Sequence, residues 1–163
     1  MKYFAYGSNM SVVRLKERAP SVDKIGVFML KGHQLRFHKV GKDGSGKCDA
    51  YQTTNKDDKL FGALFEITEA DKKVLDRVEG LGDGYEEKVV TVKNDSGDVF
   101  AALMYYATCT DPSLKPFSWY LNHVVVGAKE TNVPAQYLEL IQSTQSVDDP
   151  DPNRDAKQRA MYR

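Results

Sequence analysis

Apolar residues recur along this chain with two different periods, and where each period holds predicts the elements. Tyr3-Phe4-Ala5-Tyr6 places three aromatics in four residues and reads as a half-buried strand. Gly7-Ser8-Asn9 breaks that run, and Met10 to Arg18 predicts a short helix carrying Met10, Val13 and Leu15, with Ser8 or Asn9 as its N-cap. Ile25–Leu30 and Gln34–Val40 are strand candidates around Lys31-Gly32. The Gly-, Asp-, Lys- and Thr-rich stretch 41–59 reads as loop, with a short strand near Ala50-Tyr51. Leu60–Ile67 is a mostly apolar strand. Thr68 then opens a helix with a Thr68-x-x-Asp71 capping box, apolar Val74, Leu75 and Val78 at helical spacing, and Gly80 as the left-handed stop. Tyr85–Lys93 and Val99–Ala107 flank Asn94-Asp95-Ser96-Gly97, a hairpin signal. Helices are expected over Trp119–Glu130 and Pro134–Ser143. Strands and helices mix without strict βαβ order. The class is therefore α+β, a small mixed sheet that is curved or barrel-like with flanking helices. It spans residues 1–145, and 146–163 form a polar tail, frayed or laid on the surface.

Composition narrows the function classes. A chain of 163 residues is one domain and can bury roughly 70% of its unfolded surface. Its 23 Lys and Arg balance 23 Asp and Glu, so neither nucleic acid nor an anionic membrane is an expected partner. No apolar run suits a membrane span or secretory leader, which predicts a soluble, cytoplasmic protein. Cys48 and Cys109 are too few for a disulfide framework or a four-Cys zinc site, and His33, His38 and His123 lack ligand spacing.

Several motifs carry less chemistry than they promise. Gly41 to Lys47 fits the G-x-x-x-x-G-K spacing of a phosphate loop. Cys48 follows where Ser or Thr should bind magnesium, and strand or turn material follows instead of a helix. Ser8 and Cys109 are possible nucleophiles with no histidine tied to them. The Trp119-Tyr120 and Tyr105-Tyr106 pairs read as core. Two features are more pointed, although a glutamate beside a C-cap glycine, such as Glu79, is by residue type more often solvated surface. The turn Gly7 to Met10, where a strand runs into a helix start, gathers free backbone N–H groups suited to an anion or a polarised carbonyl. Glu79 stands at a helix C-terminus, where the dipole disfavours negative charge. Burial near Tyr6 or Tyr85 would add to that effect, which suits proton transfer near neutrality.

These residues resemble a known family. Tyr3-Phe-Ala-Tyr-Gly-Ser-Asn-Met10 is similar to the N-terminal signature of the gamma-glutamylcyclotransferase family, close to the AIG2-like group. Leu60-Phe-Gly-Ala-Leu-Phe65, Leu75-Asp-Arg-Val-Glu-Gly80 with Tyr85, and Val126-Gly-Ala-Lys-Glu130 with Pro134 and Tyr137 resemble its later segments in the same order. The resemblance implies a gamma-glutamylcyclotransferase-like fold and an enzyme that converts a gamma-glutamyl amide to 5-oxoproline plus a free amine or amino acid. It implies Glu79 as catalytic acid and base, and a cradle of Tyr6, Gly7, Ser8 and Asn9 bordered by Met10. Tyr85 and Tyr137 would line or close the pocket. No metal, nucleotide or redox cofactor is needed for this chemistry. The turn's N–H groups would hold either the gamma-oxygen or the alpha-carboxylate. A non-catalytic small-ligand module on the same fold is the alternative.

Overall fold

The computed structural model of the protein describes all 163 residues. Its strands are β1 (Lys2–Ala5), β2 (Asp23–Lys31), β3 (His33–Val40), β4 (Gly46–Gln52), β5 (Lys59–Glu66), β6 (Tyr85–Lys93) and β7 (Val99–Ala107). Its helices are α1 (Val12–Lys16), α2 (Glu69–Glu79), α3 (Ser118–Thr131), α4 (Ala135–Gln142) and α5 (Pro152–Ala160). Five strands close into a barrel in the order β1-β5-β2-β6-β7, with β1 meeting β7 in parallel and the other pairs antiparallel. Closure leaves no edge strand within the barrel. The two faces of the β6–β7 hairpin differ in burial: Val90 and Val92 are buried, whereas Val89 is 72% exposed. Phe4, Leu60, Leu64 and Met104 are fully buried in the core. No helix is long and apolar enough to cross a membrane.

Three local expectations change. Residues 46–52 form a full strand, paired with β3 as a separate two-stranded ribbon. The polar residues that made it look like a loop are spent on tertiary contacts. Asp49 accepts from the Ala107 N–H at 2.8 Å and meets His38 Nε2 at 2.6 Å, which ties the ribbon to β7. Gly41–Lys47 therefore enters a strand and not a helix. The Lys47 ammonium binds Asp43 at 2.9 Å and lies over the Trp119 and Tyr120 rings.

The second change is at the first helix. Ser8–Met10 form a 3₁₀ turn, and Ser11 rather than Ser8 or Asn9 caps α1 by accepting from the Arg14 N–H. The third is in the tail, where residues Pro152–Ala160 form a helix, α5, laid on the surface and not frayed. Asp149 is buried and accepts from Trp119 Nε1 at 2.8 Å and from Arg154 at 2.5 and 2.7 Å. Asp151 caps the helix that follows. A polar sequence can pack when its partners are charged and buried, which apolar periodicity does not report.

The boundaries of α2 come out as the sequence expects. Thr68 and Asp71 complete a reciprocal capping box, and Gly80 takes the left-handed conformation at φ 73°. These two devices fix the helix length, and so place Glu79 on its last turn.

Candidate active site

The 3₁₀ turn is held where it is by two close approaches. A Cβ on Gly7 would lie 2.8 Å from Cys48 Cβ, so only glycine lets the turn sit against β4. A Cβ on Gly127 would lie 2.5 Å from Ser11 N and 2.6 Å from Met10 Cβ, so α3 presses its backbone onto the other side. Glu130, one turn further along α3, accepts from the Val12 N–H at 3.1 Å. The Gly127–Glu130 segment thus clamps the turn rather than touching any ligand.

Asn9 links the turn to α2. Its Nδ2 donates to Glu79 Oε1 at 2.7 Å and to Tyr3 Oη at 3.0 Å, while its Oδ1 accepts from Arg18 Nη1 at 3.2 Å. Arg18 Nη1 also lies 3.7 Å from Glu79 Oε1. Asn9 and Arg18 both face the carboxylate, two partners that a reading from the helix end and from burial does not include. The hydrogen bond and the ion pair of this carboxylate both fall on Oε1, and Oε2 has no protein hydrogen bond. The Met10 N–H bonds back to the Gly7 carbonyl, whereas the N–H groups of Gly7, Ser8 and Asn9 donate to no protein acceptor. Three donors, not four, are therefore free.

Glu79, Gly7, Ser8 and Asn9 line a narrow cavity of about 30 Å³. Tyr3, Tyr6, Tyr85, Tyr105, Tyr120 and Cys48 complete its walls. Tyr6 donates to the Tyr105 carbonyl at 2.7 Å and Tyr85 to the Cys48 carbonyl at 2.6 Å, while Tyr120 Oη accepts from the Cys48 N–H at 3.0 Å. Burial raises the phenol pKa of Tyr3, Tyr6, Tyr85 and Tyr120, so all four stay neutral at physiological pH. Burial also pushes the Cys48 thiol up to about 12, which leaves it a poor nucleophile. Cys109 is exposed on the surface.

Two predicted site residues are not in these walls. Met10 is fully buried beneath α3 and anchors the turn from below. Tyr137, on α4, packs edge-on against Phe61 at 5.1 Å and lines a separate groove of about 730 Å³. Its helix packs on α3 and delivers it to β5, away from Glu79. Conversely, Tyr3, Cys48, Tyr105 and Tyr120 join the site without having been assigned to it, as does Arg18. For Tyr120 a signal exists: it precedes Gly127 by seven residues and shares its helix face, the face that meets the turn.

A closed five-stranded barrel, with a helix-terminal carboxylate held by the amide of the turn after β1, defines a class of small α+β proteins. The chain belongs to the AIG2-like family, whose profile matches residues 59–141. It is 29% identical over 152 residues to the gamma-glutamylcyclotransferase of Bos taurus and 28% identical over 152 residues to that of Homo sapiens. Each alignment covers 90% of this chain and 79% of the relative. A solved structure of a gamma-glutamyl cyclotransferase superimposes with a TM-score of 0.87 at 24% identity, covering 98% of both chains, and shares the fold.

Proposed function

We propose that this protein is a gamma-glutamyl cyclotransferase, which closes a gamma-glutamyl amide on itself and releases 5-oxoproline with a free amine or amino acid. The supporting observation is one juxtaposition: a carboxylate clamped through Oε1 with Oε2 free, in one narrow cavity with the residues that carry three undonated N–H groups. The relatives named above lend the reaction type.

The reaction asks for few groups. The substrate's alpha-amine attacks its own gamma-carbonyl carbon, forming a C–N bond within a five-membered ring. Much of the rate can come from holding that near-attack geometry. Glu79 takes the proton released by the amine and returns it to the leaving nitrogen as the original C–N bond breaks, so the protons balance on one carboxylate. Asn9 and Arg18 fix that carboxylate so that Oε2 serves. The Gly7, Ser8 and Asn9 N–H groups suit the charge developing on the gamma-oxygen, or the alpha-carboxylate. The neutral tyrosines keep the walls uncharged, and the Ser8 hydroxyl is a substrate contact rather than a nucleophile.

The test is release of 5-oxoproline from gamma-glutamyl dipeptides, glutathione and gamma-glutamyl-epsilon-lysine. Glu79→Gln should keep the thermal midpoint and lose about 10²- to 10⁴-fold in turnover. Equal turnover by the variant overturns the role of Glu79. A parent protein that binds 5-oxoproline by calorimetry yet turns over none of the panel is a binding module.

A further inference from the structure

Lys39, on β3, is only 8% exposed, and its ammonium makes no hydrogen bond and no ion pair with the protein. Other lysines withdrawn from solvent are engaged. Lys47 binds Asp43, Lys72 pairs with Asp76 and Glu87, Lys88 meets His33 and Gln52, and Lys24 donates to Thr131. The Lys39 ammonium instead lies 4.7 Å from the centroid of the Tyr85 ring, a wall of the Glu79 cavity. It occupies space left by Gly84, where a Cβ would come within 3.1 Å of Nζ. A half-desolvated cation without an anion is costly unless an anion arrives to meet it.

We propose that Lys39 binds the carboxylate of the leaving group, so that gamma-glutamyl amino acids are cleaved in preference to gamma-glutamyl amines. The proposal rests on the cyclotransferase reading and deepens it. Among the charged groups that act on the Lys39 ammonium, the Glu79 carboxylate acts most strongly, ahead of Cys109, Lys42 and Asp83, so the ammonium and the catalytic carboxylate share one local field. Lys39 covers Tyr85 without lining the narrow cavity, which places it beside the reacting atoms and not among them. An amino acid leaving through its nitrogen carries its carboxylate two bonds away, within reach of such a neighbour. An amine has nothing to offer there. The substrate's own alpha-carboxylate has the turn's N–H groups as an alternative partner.

The experiment compares gamma-glutamyl-alanine with gamma-glutamyl-alaninamide, which differ only in that carboxylate. The parent should favour the acid by about 10- to 100-fold in kcat/KM, chiefly through KM, the range of a charge-assisted contact. Lys39→Met should lose most of that factor on the acid and stay within about twofold on the amide, and Lys39→Arg should recover much of it. Lys39→Gln repeats the test if the methionine variant misfolds. Equal cleavage of both substrates by the parent, or equal loss on both in Lys39→Met, overturns the role of Lys39 and leaves the cyclotransferase reading standing. Failure of the parent to release 5-oxoproline from either substrate overturns both.

Discussion

Two polar clusters grip the Ser8–Ser11 segment from different sides, and they are built on opposite principles. Toward the barrel, Asn9 holds Glu79, Tyr3 and Arg18. Toward α5, Tyr162 Oη sits between His123 Nδ1 at 2.6 Å and Ser11 Oγ at 3.0 Å. Gln158 Oε1 takes His123 Nε2 at 2.8 Å and Arg14 Nη1 at 3.1 Å. An amide oxygen only accepts, so His123 carries a proton on Nε2, where it donates to Gln158 Oε1. That second cluster is nearly closed, with Arg14 Nε its one fully buried nitrogen without a partner. The first leaves a carboxylate oxygen and three N–H groups unspent beside a cavity. Saturated polar networks fix structure; unsaturated ones facing a cavity are where chemistry is available.

The contrast can be broken at several points after Glu79 itself. Asn9→Ala removes the clamp on Oε1 and leaves Arg18 as its remaining neighbour. We expect kcat to fall by about 10- to 100-fold with the fold retained. Wild-type turnover would mean that Asn9 does not position the carboxylate. Gly127→Ala strikes both clusters at once, because the added carbon meets the backbone of Met10 and Ser11. It should cost on the order of 2 kcal/mol in denaturant stability and lower turnover as well. A loss of stability alone would show that the turn can shift without harm to the site. Tyr162→Phe touches only the closed cluster. It should cost about 1 kcal/mol and leave kcat unchanged within about twofold.

How much of this was readable in the sequence depends on which interactions form each part. Local chemistry placed Glu79: Thr68 and Gly80 bound α2 by hydrogen bonds and backbone geometry within a few residues of themselves. The barrel strands were readable from their apolar and aromatic runs and from the turn residues between them. By contrast, β4 and α5 are stabilised by Asp49, Asp149, Tyr162 and His123, which each have a partner far along the chain, so their polar sequences suggested loop and tail. Tyr105 and Tyr120 are core residues by burial and cavity walls by position, and composition cannot tell these apart. Tyr137 was placed in the site by resemblance alone, and the packing of α4 on Phe61 puts it elsewhere.

The last effect concerns the pH dependence of the closed cluster and leaves turnover untouched. Burial first, and the Arg14 charge second, lower the His123 pKa to about 4, against roughly 6.5 in an unfolded chain. As pH falls below about 6.5 the unfolded chain takes up a proton that the folded protein refuses until about pH 4. Stability from this group is therefore complete above pH 6.5 and drains away through that window. Asp149, held well below the usual carboxylate range by Arg154, begins to matter only at lower pH. His33, also lowered by burial, titrates alike in parent and variant and cancels from the comparison. His123→Gln keeps a neutral donor and acceptor without the titration. Denaturant unfolding at pH 7.5 and 4.5 should cost the parent about 2 kcal/mol more than the variant. Parallel losses in the two proteins would show that His123 is not the group that carries the acid sensitivity, and kcat measured at pH 7.5 should be the same in both.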